Sequence, residues 1–191
     1  MILGIDEAGR GALAGPLVVA GVVFKGEVRD DMFCDSKTLS FKKRNHIFDH
    51  YIEDRIPYWV SVILPKTIDR LNVLRATLVG MGRVISRCSA QVSEILIDGN
   101  HVPRSRTEIP LRAIIKGDSK VPEISCASIV AKVLRDRMMM RLHKRYPQYA
   151  FDQHFGYGTV CHYDAIERYG ILDGSHRVSF NLFRQQLLFD V

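Results

Sequence analysis

The sequence lacks several features that mark whole classes of protein. Its four cysteines are scattered at positions 34, 88, 126 and 161 with no Cys-x-x-Cys pair, which argues against a zinc knuckle and indicates free thiols in a reducing compartment. The N-terminus has no basic segment of the kind that begins a signal peptide. The longest apolar stretch, 12–24, contains two glycines and a proline and is too short to span a bilayer as a helix. These absences predict a cytoplasmic protein without a membrane segment.

Repeats and low-complexity linkers are also missing. What the chain has is a hydrophobic content of 47%, enough for a core, over a length of 191 residues that favours one domain. Its 27 Lys+Arg against 21 Asp+Glu give a net charge of +6. A moderately basic protein is suited to a polyanion, although many such proteins bind nothing in particular.

Apolar periodicity predicts strands that alternate with helices. The predicted strands are 2–6, 17–24, 58–64, 94–98 and 111–115. The first three should be antiparallel, because only short connections or one helix separate them. Ser40 and Thr67 are predicted to cap the next two helices, and Pro122 to begin a long helix that ends near Leu142. We therefore expect an α/β fold with a mixed sheet and a helical C-terminal part.

Acidic residues stand at the ends of three predicted strands. Asp6 and Glu7 close the first, Asp98 ends the fourth, and Asp118 follows the fifth. If these strands are neighbours, the acids meet at one edge of the sheet and repel one another. Mg²⁺ or Mn²⁺ would relieve that repulsion, and two such ions are the standard apparatus for phosphodiester cleavage. The alternative is four unrelated loop residues or helix caps.

The segment Gly9-x-Gly11-x-x-Ala14 fits a loose dinucleotide-binding pattern. A dinucleotide site needs a helix to begin at this loop, whereas Gly15-Pro16 leads into a Val-rich strand. The better interpretation is a tight loop whose backbone approaches a sugar or phosphate, with Arg10 placed to pair with a phosphate. A plain turn with a solvated Arg10 is the alternative.

Seven blocks, in the same order across nearly the whole chain, resemble the ribonuclease HII family. The first block is Asp-Glu-Ala-Gly-Arg-Gly at 6–11 together with Leu-Ala-Gly-Pro at 13–16. The others are Asp-Ser-Lys-x-Leu-Ser at 35–40, Ile-Asp-Gly at 97–99, Lys-Gly-Asp at 116–118, Ala-Ser-Ile-Val-Ala-Lys-Val-x-Arg-Asp at 127–136, Gly-Tyr-Gly-Thr at 156–159 and His-Arg-x-Ser-Phe at 176–180. A single short block is a weak match that chance can produce, whereas chance hardly produces seven blocks in the same order.

The resemblance implies an RNase H-like mixed sheet flanked by helices. It implies one catalytic domain over 1–191, with a helical substrate-binding extension from about residue 145. It also implies that Asp6, Glu7, Asp98 and Asp118 are both catalytic and metal-binding residues, for Mg²⁺ or Mn²⁺. Such an enzyme hydrolyses the RNA strand of RNA–DNA hybrids and cuts 5′ to ribonucleotides embedded in duplex DNA, leaving 5′-phosphate and 3′-hydroxyl ends.

Substrate contacts follow from the same resemblance. Gly9, Arg10 and Gly11 would read the ribose 2′-hydroxyl, the group that distinguishes RNA from DNA, and Tyr157 would stack on the adjoining deoxyribose. Further contacts with the nucleic acid are predicted for the polar side chains Ser36, Lys37, Ser40, Ser125, Ser128 and Lys132. The alternatives are a packing role for Tyr157, a cap at Ser40 and a solvated helix face at 125–132.

Two positions depart from the family pattern. Ala12 replaces a frequent proline, which should matter little, and Phe155 replaces a frequent lysine. If that lysine contacts phosphate, binding here should depend less steeply on salt. Among the other residues, we interpret Asp136 as structural, with metal contact as the alternative, and the basic run 42–44 as a solvated helix face or a nonspecific DNA contact.

Three other functions are open to such a sequence. A non-catalytic binder of RNA–DNA hybrids would have no use for four clustered acids. A related nuclease would be a Holliday-junction resolvase or a ribonuclease HIII, which usually carries an extra N-terminal domain that the block beginning at Asp6 leaves no room for. Histidine-based RNA cleavage would need no metal and would pass through a cyclic phosphate.

For partners we expect RNA–DNA hybrid and DNA duplex with embedded ribonucleotides, bound by a monomer. A sliding-clamp peptide is one interpretation of Gln-Gln-Leu-Leu-Phe at 185–189, and a terminal amphipathic helix is the other.

Overall fold

The computed structural model describes residues 1–26 and 39–183. Over these residues the strands form one five-stranded sheet in the order β3-β2-β1-β4-β5. The strands are β1 (Ile2–Ala8), β2 (Leu17–Val23), β3 (Tyr58–Ile63), β4 (Glu94–Asp98) and β5 (Leu111–Ile114). The first three pair antiparallel, as predicted, and β4 pairs parallel with both β1 and β5. The mixed sheet expected from the sequence is therefore confirmed.

The described helices flank this sheet and build the C-terminal part. They are α1 (Phe41–Ile47), α2 (Pro65–Leu71), α3 (Val73–Arg87), α4 (Pro122–Arg145), α5 (Phe151–His154) and α6 (Val160–Tyr169). A π-helical turn, Phe48–Ile52, continues α1. Ser40 caps α1 as predicted, since its hydroxyl accepts a hydrogen bond from the Lys43 backbone N–H at 3.3 Å. The C-terminal part is helical, which confirms the predicted fold class.

The long helix predicted to begin at Thr67 is in fact two helices. The first begins earlier, at Pro65, and ends before Asn72, whose backbone has a φ of 65°. The Asn72 side chain accepts a hydrogen bond from the Arg75 N–H at 3.0 Å and so caps α3. The prediction was wrong at this point because the apolar period runs through the break, and asparagine is also a good N-cap.

Alternate residues of β2 face opposite layers of the molecule. Val18 and Val22 pack in a core with α1 and α4 on one face of the sheet, while Val19 and Val23 pack with α3 on the other. All seven residues of β2 are buried, which explains why its sequence is a continuous apolar run.

The C-terminal part binds the segment between β1 and β2. The backbone N–H of Leu13 donates to the Gly156 carbonyl at 2.8 Å, and that of Gly15 donates to the Ser175 carbonyl at 2.8 Å. Ala14 also forms an isolated bridge with His176. Residues far apart in the chain are therefore brought to the end of β1 that carries the acids.

Within 1–26 and 39–183, none of the helices has both the length and the apolar character needed to cross a bilayer. Cys88, Cys126 and Cys161 are free thiols, as predicted. Cys34 lies outside the described residues.

Candidate active site

Three of the four predicted acids open onto one cavity. Because β1 and β4 are parallel neighbours in which Ile5 pairs with Ile97, both strands deliver their terminal acids to the same edge of the sheet. Asp6, Glu7 and Asp98 line a cavity of about 380 Å³ at this edge. The convergence that the strand pattern predicted is therefore present for these three side chains.

Asp118 lies beside this group, behind Asp98. The backbone N–H groups of Gly117 and Asp118 approach the Asp98 Oδ1 atom at 2.7 Å and 3.4 Å. The Asp118 side chain is buried, at 4% exposure, and among the described residues it is the predicted acid that does not line the cavity. The backbone contact with Asp98 places it next to the site.

Burial and repulsion dominate the electrostatics of Asp6. Removal from water raises the pKa of its carboxyl well above the ordinary value, and the negative charges of Glu7 and Asp98 raise it further. Hydrogen bonds from the Ser128 side chain and from the Glu7 backbone N–H, at 2.7 Å, act in the opposite direction. A nearby positive charge would therefore favour the ionised form of Asp6.

Over residues 1–26 and 39–183, no three histidine, cysteine, aspartate or glutamate side chains approach closely enough to form a complete metal site. Arg10 pairs with the Glu7 carboxylate at 3.3 Å and is half exposed, so it is not simply solvated.

Two buried arginines hold the loop between β1 and β2 through its carbonyl oxygens. Arg135, on α4, donates to the carbonyls of Pro16 at 3.0 Å and Ala14 at 3.1 Å. Arg177 donates twice to the Gly15 carbonyl, at 3.0 and 3.1 Å, and once to that of Arg10, at 3.0 Å. Both guanidinium groups are fully buried. Sequence reasoning missed this role, although both arginines belong to blocks that resemble the family.

The two glycines of the loop differ in their surroundings. Gly9 has a φ of +94°, and a Cβ atom there would lie 2.1 Å from the Arg135 Nε. A Cβ atom on Gly11 would meet no atom of the described residues within 4 Å, and Gly11 lines the cavity. Gly9 is therefore required by the fold, whereas Gly11 leaves open space in the cavity.

Tyr157 forms the opposite wall of the cavity. The Arg135 guanidinium lies 5.1 Å from the centre of its ring, and the Lys132 ammonium lies 5.4 Å away. The ring is only partly buried. The structure thus places it beside the glycine loop, where it is packed on one side and open to a ligand on the other.

The remaining predicted contacts are distributed unevenly. Ser128 and Lys132 line the cavity, Ser125 is buried at 3% exposure, and Ser40 is exposed at the start of α1. Ser36 and Lys37 lie outside the described residues.

Arg44 lines the cavity too, and sequence reasoning missed it. It lies in the run 42–44 that we interpreted as a solvated face, but its guanidinium is 3.7 Å from the buried Asp136 carboxylate. Asp136 also pairs with the Lys132 ammonium at 2.9 Å. Asp136 thus tethers two cations at the cavity wall. The sequence did carry one signal: Arg44 follows the N-cap Ser40 by four residues, and this position on α1 faces the cavity.

Phe155, the departure from the family pattern, stacks on Phe41 of α1 with ring centres 5.6 Å apart. The Lys132 ammonium lies 5.4 Å from its ring centre. An aromatic contact between α1 and the C-terminal part therefore occupies this position, and the shallower salt dependence stays a prediction.

Comparison with known proteins places this geometry in a family. The family model described as ribonuclease HII matches residues 3–183. The chain belongs to the ribonuclease HII family. The ribonuclease HII of Coxiella burnetii is 45% identical over 189 residues, which cover 99% of this chain and 92% of that protein. The resemblance inferred from the seven blocks is confirmed.

Solved structures of ribonuclease HII enzymes agree with the fold. The ribonuclease HII in a complex with PCNA from Archaeoglobus fulgidus superposes with a TM-score of 0.81 at 27% identity, covering 98% of both chains. The ribonuclease H2 of Pyrococcus horikoshii superposes with a TM-score of 0.76 at 26% identity, covering 95% of this chain and 94% of that one. The chain is therefore an enzyme of a metal-dependent family, a ribonuclease H endonuclease, and not a non-catalytic binder.

Proposed function

We propose that this protein cuts the phosphodiester bond on the 5′ side of a ribonucleotide embedded in duplex DNA and leaves 5′-phosphate and 3′-hydroxyl ends. The observation that carries the proposal is that one cavity is lined by three of the acids (Asp6, Glu7 and Asp98), by Gly11 and by Tyr157. A sugar bound between the loop and the ring has its phosphate next to the acids. Contacts to sugar and backbone imply little base-sequence specificity.

The acids are suited to Mg²⁺ or Mn²⁺. Hard carboxylate oxygens are the ligands those ions prefer, and the repulsion that raises the Asp6 pKa is relieved by a cation. Asp6, Asp98 and Asp118 would hold one ion, and Glu7 would share the second. Two such ions acidify a water molecule and neutralise the departing 3′ oxygen. Glu7 pairs with Arg10 at 3.3 Å, so an ion held by Glu7 would leave Arg10 free to meet the substrate.

The protein's own groups position the nucleic acid. The backbone of 9–11 approaches the ribose 2′-hydroxyl where a side chain would intrude, and Tyr157 packs on the neighbouring deoxyribose. Lys132 and Arg44 offer positive charge to phosphates from the cavity wall. Ser128 supports the ionised form of Asp6, and Ser36, Lys37 and Ser40 extend the phosphate contacts along the duplex. The burial of Ser125 favours a contact within the fold.

The test uses a labelled DNA duplex with one embedded ribonucleotide. Wild-type protein and Asp6→Asn are compared with Mg²⁺, with Mn²⁺ and with EDTA. Asp173→Asn serves as a matched control because Asp173 is exposed and, within the described part of the chain, forms one ion pair, with Lys66 at 3.8 Å. We expect wild type and the control to cut 5′ to the ribonucleotide, and we expect Asp6→Asn and the EDTA samples to show background cleavage. Cleavage by Asp6→Asn at the wild-type rate, or a cyclic phosphate product, would overturn the proposal.

A clamp contact is a second part of the proposal. The Archaeoglobus fulgidus relative was solved in a complex with PCNA, and the segment 185–189 carries the glutamine and aromatic residue of a clamp-binding peptide. That segment lies outside the described residues. Titration of a sliding clamp with the full chain and with a chain ending at Phe183 tests it. If both chains bound the clamp with equal affinity, the segment 185–189 would not be a clamp-binding peptide.

A further inference from the structure

Three buried histidines lie together in the C-terminal part, outside the cavity. His154 and His162 stack with ring centres 4.5 Å apart, and the Nε2 atoms of His162 and His176 are 3.1 Å apart. His162 and His176 are 0% and 2% exposed. The proposed chemistry uses none of them, so their arrangement needs another explanation.

The arrangement is not a metal site. His154 binds the Gly156 N–H through Nδ1 at 3.2 Å and the Tyr149 carbonyl through Nε2 at 2.9 Å. The other two rings likewise use both nitrogens, on each other and on the backbone. All six ring nitrogens therefore have a protein partner, and none is left to coordinate an ion.

The partners determine where each proton lies on His176 and His162. The Leu172 N–H donates to the His176 Nδ1 at 2.8 Å, so a neutral His176 carries its proton on Nε2. That Nε2–H donates to the His162 Nε2, so a neutral His162 carries its proton on Nδ1. The His162 Nδ1–H then donates to the Tyr157 carbonyl at 2.9 Å.

Protonation of either ring would break this chain of hydrogen bonds. A second proton on His162 would set two N–H groups against each other across 3.1 Å, and a second proton on His176 would face the Leu172 N–H across 2.8 Å. Burial lowers the pKa of both His162 and His176 to about 4, which agrees with neutral rings near neutral pH. The three hydrogen bonds thus all point in one direction, from the backbone N–H of Leu172 to the backbone carbonyl of Tyr157.

The same C-terminal segment also binds the glycine loop. Arg177, next to His176, donates to the carbonyls of Arg10 and Gly15, and His176 itself bridges to Ala14. One short segment therefore contacts the loop directly and Tyr157 through His162. These are the two walls between which the substrate sugar is proposed to bind.

We propose that His162 and His176 are positioning residues that set Tyr157 at a defined separation from the glycine loop and thereby determine the preference for a single ribonucleotide next to DNA. The inference rests on the proposed function. A continuous RNA strand offers no deoxyribose at the cleavage site, so cleavage of a continuous hybrid depends less on Tyr157.

Two substitutions at one position separate this role from general packing. In His162→Asn the amide nitrogen replaces Nδ1 and keeps a donor for the Tyr157 carbonyl, but His176 loses its acceptor. In His162→Gln the amide reaches the position of Nε2 and keeps an acceptor for His176, but the donor to Tyr157 is lost. Each variant loses one buried hydrogen bond, so both should unfold at similarly lowered temperatures.

The readout is the ratio of the cleavage rate on a single-ribonucleotide duplex to that on a continuous RNA–DNA hybrid. We expect His162→Gln to lower this ratio about five- to tenfold, the worth of one hydrogen bond. His162→Asn should keep the ratio within about twofold of wild type, since the donor to Tyr157 is retained. An equal change in both variants, or no change in either, would overturn the inference and leave the histidines a purely structural role.

A measurement on wild-type protein tests the proton positions without any variant. Nitrogen-15 NMR of the imidazole rings at neutral pH should show His162 protonated on Nδ1 and His176 on Nε2. The opposite tautomers, or charged rings, would overturn the inference. If the wild type cuts hybrids but not the single-ribonucleotide duplex, the proposed function fails and the inference with it; if it cuts both and the variants behave alike, only the inference fails.

Discussion

At the scale of single residues, Gly9 and Gly11 separate the demands of folding from those of substrate binding. They lie two positions apart, yet a Cβ atom on Gly9 collides with Arg135 while one on Gly11 enters the cavity. The sequence pattern predicted that both glycines read the sugar. The structure adds that Gly9 has a second, architectural requirement, which depends on an arginine 126 positions along the chain.

We expect Gly11→Ala to fold normally and to lose activity. Its added methyl group meets only the substrate, and displacing a sugar by about 1 Å costs on the order of a hundredfold in rate. Thermal unfolding and cleavage of the single-ribonucleotide duplex measure the two effects. Full activity of this variant would mean that the loop does not approach the sugar.

Gly9→Ala is the matched comparison. Its φ of +94° and the collision with Arg135 should lower the free energy of unfolding by about 1–3 kcal/mol. A stable Gly9→Ala protein would contradict the described geometry of the loop.

How far single residues were predictable depends on what surrounds them in the chain. Asp6, Glu7 and Asp98 were found because an acid that ends an apolar strand stands out against its neighbours. Arg44 was missed because a basic run on a short helix looks like a solvated face. Its inward direction depends on the buried Asp136, which belongs to another helix.

At the scale of elements, the break between α2 and α3 shows why periodicity alone overestimates helix length. The apolar period continues across Asn72, so the two helices present one apolar surface to the sheet. Only the backbone, with a φ of 65° at Asn72, reveals the interruption. Strand positions and the cap at Ser40 were predictable because both are local, whereas this break follows from packing.

Asn72 should therefore matter for stability but not for catalysis. Asn72→Ala removes the cap on α3 and should lower the free energy of unfolding by about 1 kcal/mol, with cleavage rates unchanged. Asn72→Gly also removes the cap but tolerates the positive φ, so it should be the less destabilised of the two. Denaturant unfolding of both variants measures the difference, and the reverse order would contradict the described backbone.

At the scale of the whole molecule, acid should destabilise the protein through its buried histidines. The pKa values of His162 and His176 are lowered to about 4, whereas unfolded histidine has a pKa near 6.5. The unfolded chain therefore binds more protons than the folded one between these values. Stability falls as the pH drops through this window, by about 1.4 kcal/mol per pH unit for each proton taken up.

Asp6 acts with the opposite sign, because its raised pKa means that the folded protein holds a proton that the unfolded chain releases. Stability from that group is present at low pH and is lost as the pH rises through its folded pKa. Denaturant unfolding of Asp6→Asn at pH 7 and pH 5 therefore isolates the histidines. We expect lower stability at pH 5, and equal stability at both would show that the rings are not held neutral.

The anchoring of the loop between β1 and β2 also determines which substitutions the loop tolerates. Arg135 and Arg177 bind carbonyl oxygens, which every amino acid supplies, and not side chains. Exchanges such as alanine for proline at position 12 therefore leave the anchors intact. The conformation of this loop therefore depends more on the two arginines than on most of the loop's own side chains.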